Sequence, residues 1–179
     1  MKAAIAQSQA AVDNGCMPFG AVCCDVNGNI LVEAQNGSAA AKKRGGSGDV
    51  TRHAEMELVR MLSTTVDAEQ RSSATIYTST EPCVMCAGAC YWSGVSRIVY
   101  GCSSETLENL SGPGGFDIAI EKLYKMGRPG TRTMEVVGPL LSDEAMQVHQ
   151  NSGVWSKHGV KRKTTDKDIE TGKWSHFNI

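Results

Sequence analysis

Two short segments carry residues able to do chemistry together: His53-Ala54-Glu55 and Pro82-Cys83-Val84-Met85-Cys86. A Cys-x-x-Cys pair opening a helix sets two thiolates on one side, close to backbone N–H groups that favour negative charge. An imidazole from a second helix adds a third ligand. Three protein ligands leave the fourth position of a tetrahedral zinc ion open for water, which is the arrangement of a catalytic site. Two thiolates favour zinc over harder divalent ions. Glu55 lies two residues beyond His53, about 200° round an ideal helix, which places it badly as a further ligand on the same side. At a helix start that geometry relaxes, and the carboxylate can reach the open position to take up and return a proton.

Other readings of these cysteines fit less well. A redox pair belongs soon after the first strand of a thioredoxin-like unit, whereas this one comes deep in the chain. A structural zinc site takes four ligands, and there is no second Cys-x-x-Cys and no His-x-His to complete it. Cys90 is the rival ligand, and its spacing suits a packed helix residue.

The elements that must position these residues follow from pattern. Residues 1–14 suit a helix ended at Asn14-Gly15. Residues 18–26 and 29–34 read as strands joined across Asn27-Gly28, a two-residue hairpin signal. Residues 38–50, rich in Ala, Lys and Gly, read as a surface loop that runs into His53. Helices are expected over 51–62 and 82–92, with strands over 74–79 and 96–101. Beyond the loop at 111–115, a helix is expected over 117–126, a strand over 131–137 and a helix over 142–150 capped by Ser142. Alternating strands and helices, with an antiparallel opening hairpin, imply an α/β domain with a mixed sheet of about five strands and helices on both faces.

Composition sets outer bounds. The chain has 179 residues, 41% hydrophobic and 21% charged, which suits one globular domain. This domain is expected over 1–155, with a lysine-rich extension over 156–179. A net charge of −1 supplies no global field for a polyanion, so a nucleic-acid partner is open but not favoured. No apolar run is long enough for a membrane span, and the N-terminus has no secretory h-region. Seven clustered cysteines fit reduced thiols plus a metal site, and hence a cytoplasmic protein, better than a disulfide framework.

With these motifs in view, the sequence resembles the zinc-dependent nucleobase and nucleoside deaminases of the cytidine deaminase-like superfamily, whose signature pairs His-x-Glu with Pro-Cys-x-x-Cys. Pro18-Phe19-Gly20-Ala21-Val22, Gln35-Asn36 and Ser79-Thr80-Glu81-Pro82-Cys83 are similar to the branch of guanine deaminases and tRNA adenosine deaminases. The resemblance covers about residues 1–126. It implies a three-layer α/β/α sandwich, one zinc ion per subunit on His53, Cys83 and Cys86, and Glu55 as proton shuttle while zinc-bound hydroxide attacks the aminated ring carbon. It further implies Asn36 and the backbone around Ala54 as substrate contacts, and a homodimer.

Two further segments bear on substrate choice. Trp92 matches an aromatic of guanine deaminases and could wall the base pocket, or simply pack at a helix end. Gly114-Gly115-Phe116-Asp117 resembles a segment whose carboxylate serves purine recognition there, which makes Asp117 a second candidate acid; an Asp here also suits a helix N-cap. The expected substrate is a small aminated heterocycle, a guanine-type purine base or nucleoside first. The alternatives are a tRNA adenosine, a pyrimidine or another aminated heterocycle. A zinc-binding interaction module is the non-enzyme alternative, and Glu55 argues against it. His149 and His158 are expected on the surface rather than in the site.

Overall fold

The computed structural model describes residues 1–40, 48–112 and 115–155. Five strands form one mixed sheet in the order β2-β1-β3-β4-β5, comprising β1 (Gly20–Cys24), β2 (Ile30–Gln35), β3 (Thr75–Thr80), β4 (Arg97–Cys102) and β5 (Glu135–Val137). β1 pairs antiparallel with β2 and β3, whereas β3–β4 and β4–β5 are parallel. The helices are α1 (Lys2–Asp13), α2 (Ala54–Thr65), α3 (Ala68–Ser73), α4 (Val84–Ser93), α5 (Ser104–Ser111), α6 (Ile120–Lys125) and α7 (Ser142–Asn151). The expected α/β architecture with a five-stranded mixed sheet is the one observed. No helix among the described residues is long and apolar enough to cross a membrane.

β1 is buried along its whole length because it is covered on both faces. Ala21 and Cys23 enter the main core with Leu58 and Leu62 of α2, Ile76 of β3 and Ala87 and Cys90 of α4. Val22 and Cys24 meet Ala4 of α1 on the other side. There Ala145 and Met146 of α7 close on Cys102, with Ile5 of α1 packed against them. Alternation within one strand thus sorts the helices into two outer layers. Cys90 is fully buried in this core, the packing role its spacing suggested.

Gly20 fixes how closely α1 can lie on the sheet. A Cβ there would stand 2.3 Å from the backbone nitrogen of Ser8 and 2.4 Å from the carbonyl of Ala4, so only glycine admits the contact.

Several boundaries differ from expectation for identifiable reasons. The β1–β2 turn is built by Asp25 rather than by Asn27-Gly28 alone. Its carboxylate accepts from the N–H groups of Asn27 and Asn29, and the strands rejoin at Cys24 and Ile30 past a bulge. The helix expected from Asp117 starts at Ile120 with Ala119 as its cap residue, so Asp117 is not its N-cap. Ser142 does not cap α7, since Leu141 holds that place at φ 58 with no side-chain cap bond. α3 and α5 were not anticipated, although both carry cap signals: Asp67 accepts from Gln70 N–H and Ser103 from Thr106 N–H. The 156–179 extension, with its lysines and His158, and most of the loop before His53 lie outside the described residues.

Candidate metal and proton-transfer site

His53 and Cys83 occupy equivalent places. Each is the extended residue just before a helix, His53 at φ −67 and ψ 156 ahead of α2, and Cys83 at φ −66 and ψ 168 ahead of α4. Cys86 stands in the first turn of α4 and is buried. The 200° separation of His53 and Glu55 therefore never arises, because His53 precedes the helical winding. His53 Nδ1 lies 3.7 Å from Cys83 Sγ and 3.5 Å from Cys86 Sγ. Tetrahedral zinc with ordinary Zn–N and Zn–S bonds sets such atoms about 3.6 Å apart. All three donor atoms fall within 4.8 Å of one another, and their chemistry fits zinc.

The local electrostatics suit a cation. The Cys86 thiol donates to Cys83, which together with His53 brings the Cys83 thiol down to about 4. Cys86 is driven upward by that shared proton and by burial. The Cys83 sulfur holds the His53 imidazole above its usual value. Glu55, in the first turn of α2, is only 5% exposed, and burial pushes its carboxyl above the ordinary range. A carboxylic acid that keeps its proton longer than usual is suited to passing one on at neutral pH.

Other expected residues divide into two groups. Asn36 is buried and tied to the neighbourhood: its N–H donates to the Phe19 carbonyl, and the next N–H, of Gly37, donates to the carbonyl of Arg52. Asn36 Oδ1 accepts from both the N–H and the hydroxyl of Ser38, which fixes the amide and leaves its NH2 as the group for a ligand. Ala54 begins α2 and is fully buried. Trp92, by contrast, sits nine residues along α4 from Cys83, about 13 Å up the axis, and is 84% exposed. Asp117 is exposed ahead of α6 and is not grouped with the three donor residues in this chain. A cleft of about 490 Å³ between α1, β2 and α2 shares Asn36 with the site but is lined mainly by Gln7, Glu33, Arg52 and Glu57.

Three ring residues of this neighbourhood, Phe19, His149 and Trp155, are not among the candidates read from sequence. Phe19 lies parallel to His53 with ring centroids 6.4 Å apart, and its edges meet Trp155 at 6.4 Å and His149 at 5.2 Å. His149 is 1% exposed, against the expectation of a surface position. The signal was present: Ala145, Val148 and His149 follow the helical spacing of one inward face.

The profile of the cytidine and deoxycytidylate deaminase zinc-binding region matches residues 1–102. The chain belongs to that family. Among this family's proteins, a probable cytosine deaminase of Schizosaccharomyces pombe is 38% identical over 159 residues, spanning 87% of this chain and 90% of the relative. A tRNA-specific adenosine deaminase of Haemophilus influenzae is 32% identical over 133 residues, covering 74% of this chain and 69% of its own. The solved guanine deaminase of Nitrosomonas europaea shares the fold at TM-score 0.65 and 21% identity, over 83% of this chain and 80% of that one. The family's zinc-binding region includes the His53, Cys83 and Cys86 cluster.

Proposed function

We propose that this chain is a zinc-dependent hydrolytic deaminase of a small aminated nucleobase. The observation that carries the reading is the three-donor cluster at zinc spacing with the buried carboxyl of Glu55 beside it. His53, Cys83 and Cys86 hold the metal, which when bound supplies Lewis acidity and a water activated for attack near neutral pH. Glu55 carries the protons: its carboxylate takes one from the attacking water and delivers it to the ring nitrogen beside the aminated carbon, then takes the remaining hydroxyl proton and passes it to the amino group, which leaves as ammonia. The Asn36 amide NH2 and the first N–H of α2, at Ala54, donate to the ring and hold it in register. The product is the corresponding oxo compound.

A guanine-type purine is the substrate expected from sequence. A pyrimidine base stands beside it, because similarity to a probable cytosine deaminase extends along nearly the whole chain. We further propose a homodimer built on α4, where Met85 and Trp92 are exposed seven residues apart on one helical face. This assigns Trp92 to subunit contact in place of a pocket wall in its own chain, and leaves Asp117 as a secondary acid to be tested by substitution. Seven free thiols accord with a reducing, cytoplasmic setting. The deciding experiment is ammonia release by zinc-loaded protein from guanine, guanosine, cytosine, cytidine, adenine, adenosine and a tRNA anticodon stem-loop. Turnover of a free base supports the proposal, and turnover of the stem-loop alone would overturn it.

A further inference from the structure

Two buried nitrogens in the aromatic group around Phe19 lack partners among the described residues. Trp155 Nε1 and His149 Nδ1 are sealed from solvent, and neither has a hydrogen-bond partner among the described residues. Their ring centroids are 5.9 Å apart, and both rings meet Phe19, the residue that lies parallel to the candidate ligand His53. The pair thus belongs to the aromatic group bordering the metal cluster.

Both atoms are donors. An indole nitrogen can only donate. For His149 the proton is placed by its neighbour Thr80, whose hydroxyl lies 2.8 Å from Nε2. That hydroxyl already accepts from the Cys102 S–H at 3.5 Å, and burial keeps the Cys102 thiol protonated. Nε2 is the acceptor left for the Thr80 O–H among the described residues, so the ring proton sits on Nδ1. Burial also keeps the ring neutral. Two N–H groups on neighbouring rings are therefore buried with no acceptor among the described residues, a state that buried polar groups rarely tolerate.

We infer that His149 and Trp155 together read a carbonyl oxygen of the substrate, so that the preferred substrates are aminated heterocycles that also carry an oxo group. The inference rests on the deaminase reading above. A carbonyl oxygen has two lone pairs and can satisfy both donors at once, whereas an aromatic ring nitrogen has one. Guanine- and cytosine-type bases meet this demand and adenine-type bases do not. Because both nitrogens are sealed, one ring must shift to admit the oxygen, and half-buried Trp155 is less enclosed than His149. A site that hydrogen-bonds one group discriminates strongly against analogues lacking it, because its own buried donors are left unmet.

The test uses full-length, zinc-loaded, ¹⁵N-labelled protein. Its three tryptophans give three indole N–H resonances, and Trp155→Phe identifies the one at issue. Titration with 2-hydroxypyrimidine and hypoxanthine is expected to move that resonance downfield, while pyrimidine and purine leave it in place. In parallel, Trp155→Phe and His149→Gln are expected to lower the kcat/KM ratio of guanine over 2-aminopurine, or of cytosine over 4-aminopyrimidine, about tenfold. An unmoved resonance with a bound oxo ligand, or unchanged ratios in both variants, overturns the inference. If no amine is turned over but the resonance moves, the carbonyl-reading pair stands and the deaminase reading falls.

Discussion

Glu55 and His149 are the two residues whose buried protons matter most, and each makes a separate prediction. Replacing Glu55 by Gln keeps the volume and the first turn of α2 but removes the proton carrier. We expect kcat to fall by about 10²- to 10⁴-fold with bound zinc unchanged, checked by steady-state assay beside metal analysis. An equal fall in zinc content would instead mark Glu55 as a structural support. His149 makes a pH prediction. Folding holds its pKa at about 4 through burial, against 6.5 for an ordinary histidine. Between these values the unfolded chain binds a proton that the folded chain refuses, so stability is lost as pH falls. Between pH 7 and 5 the contribution is about 2 kcal/mol. Urea unfolding at both pH values should show that much less acid sensitivity in His149→Phe than in the parent protein. At this scale the metal cluster was legible in sequence because its residue types are rare and their spacing is diagnostic. His149 is legible only through its helix, by its spacing from Ala145 and Val148, since a histidine read alone gives no sign of whether the face beneath it points inward.

Helix starts, more than helix interiors, position the site. His53 and Cys83 precede α2 and α4, and the residue two before Cys83 does similar work for two other helices. Glu81 Oε2 accepts from the first N–H of α5 at Ser104, and Oε1 from the first N–H of α6 at Ile120, both at 3.0 Å. One carboxylate therefore secures two helix N-termini to the turn that carries Cys83. Glu81→Gln keeps one acceptor oxygen and loses the charge. Its expected cost is about 1–3 kcal/mol, read from the thermal midpoint of zinc-loaded protein. The far end of α4 is secured differently. Arg71 donates to the Ser93 carbonyl, while Arg132 donates to those of Tyr91 and Val95 and lies over the Tyr91 ring. Gly94 closes the helix at φ 93, as a left-handed terminus requires. The long strands and α2, α4 and α7 were readable from hydrophobic period. α3 and α5 have no fully buried residue, so tertiary anchoring and cap chemistry define them more than any apolar stripe does.

For the whole molecule, the homodimer proposal predicts that Trp92→Asp shifts sedimentation from dimer to monomer; a dimer that survives the change sends the interface elsewhere. The layered architecture was legible because alternation along each strand dictates which helices lie on which face. The placement of Trp155 against Phe19 was not, since contacts between segments more than a hundred residues apart leave no local pattern. The ligands come from two helix starts 30 and 33 residues apart in sequence, with β3 between them. A bound ion ties those two helix starts together in the folded state, and its binding free energy adds to folding stability. Stripping zinc with a chelator is therefore expected to lower the thermal midpoint as well as abolish turnover. The metal supply of a cell would then govern this protein's lifetime against proteolysis along with its rate, and scarcity would deplete the molecule itself.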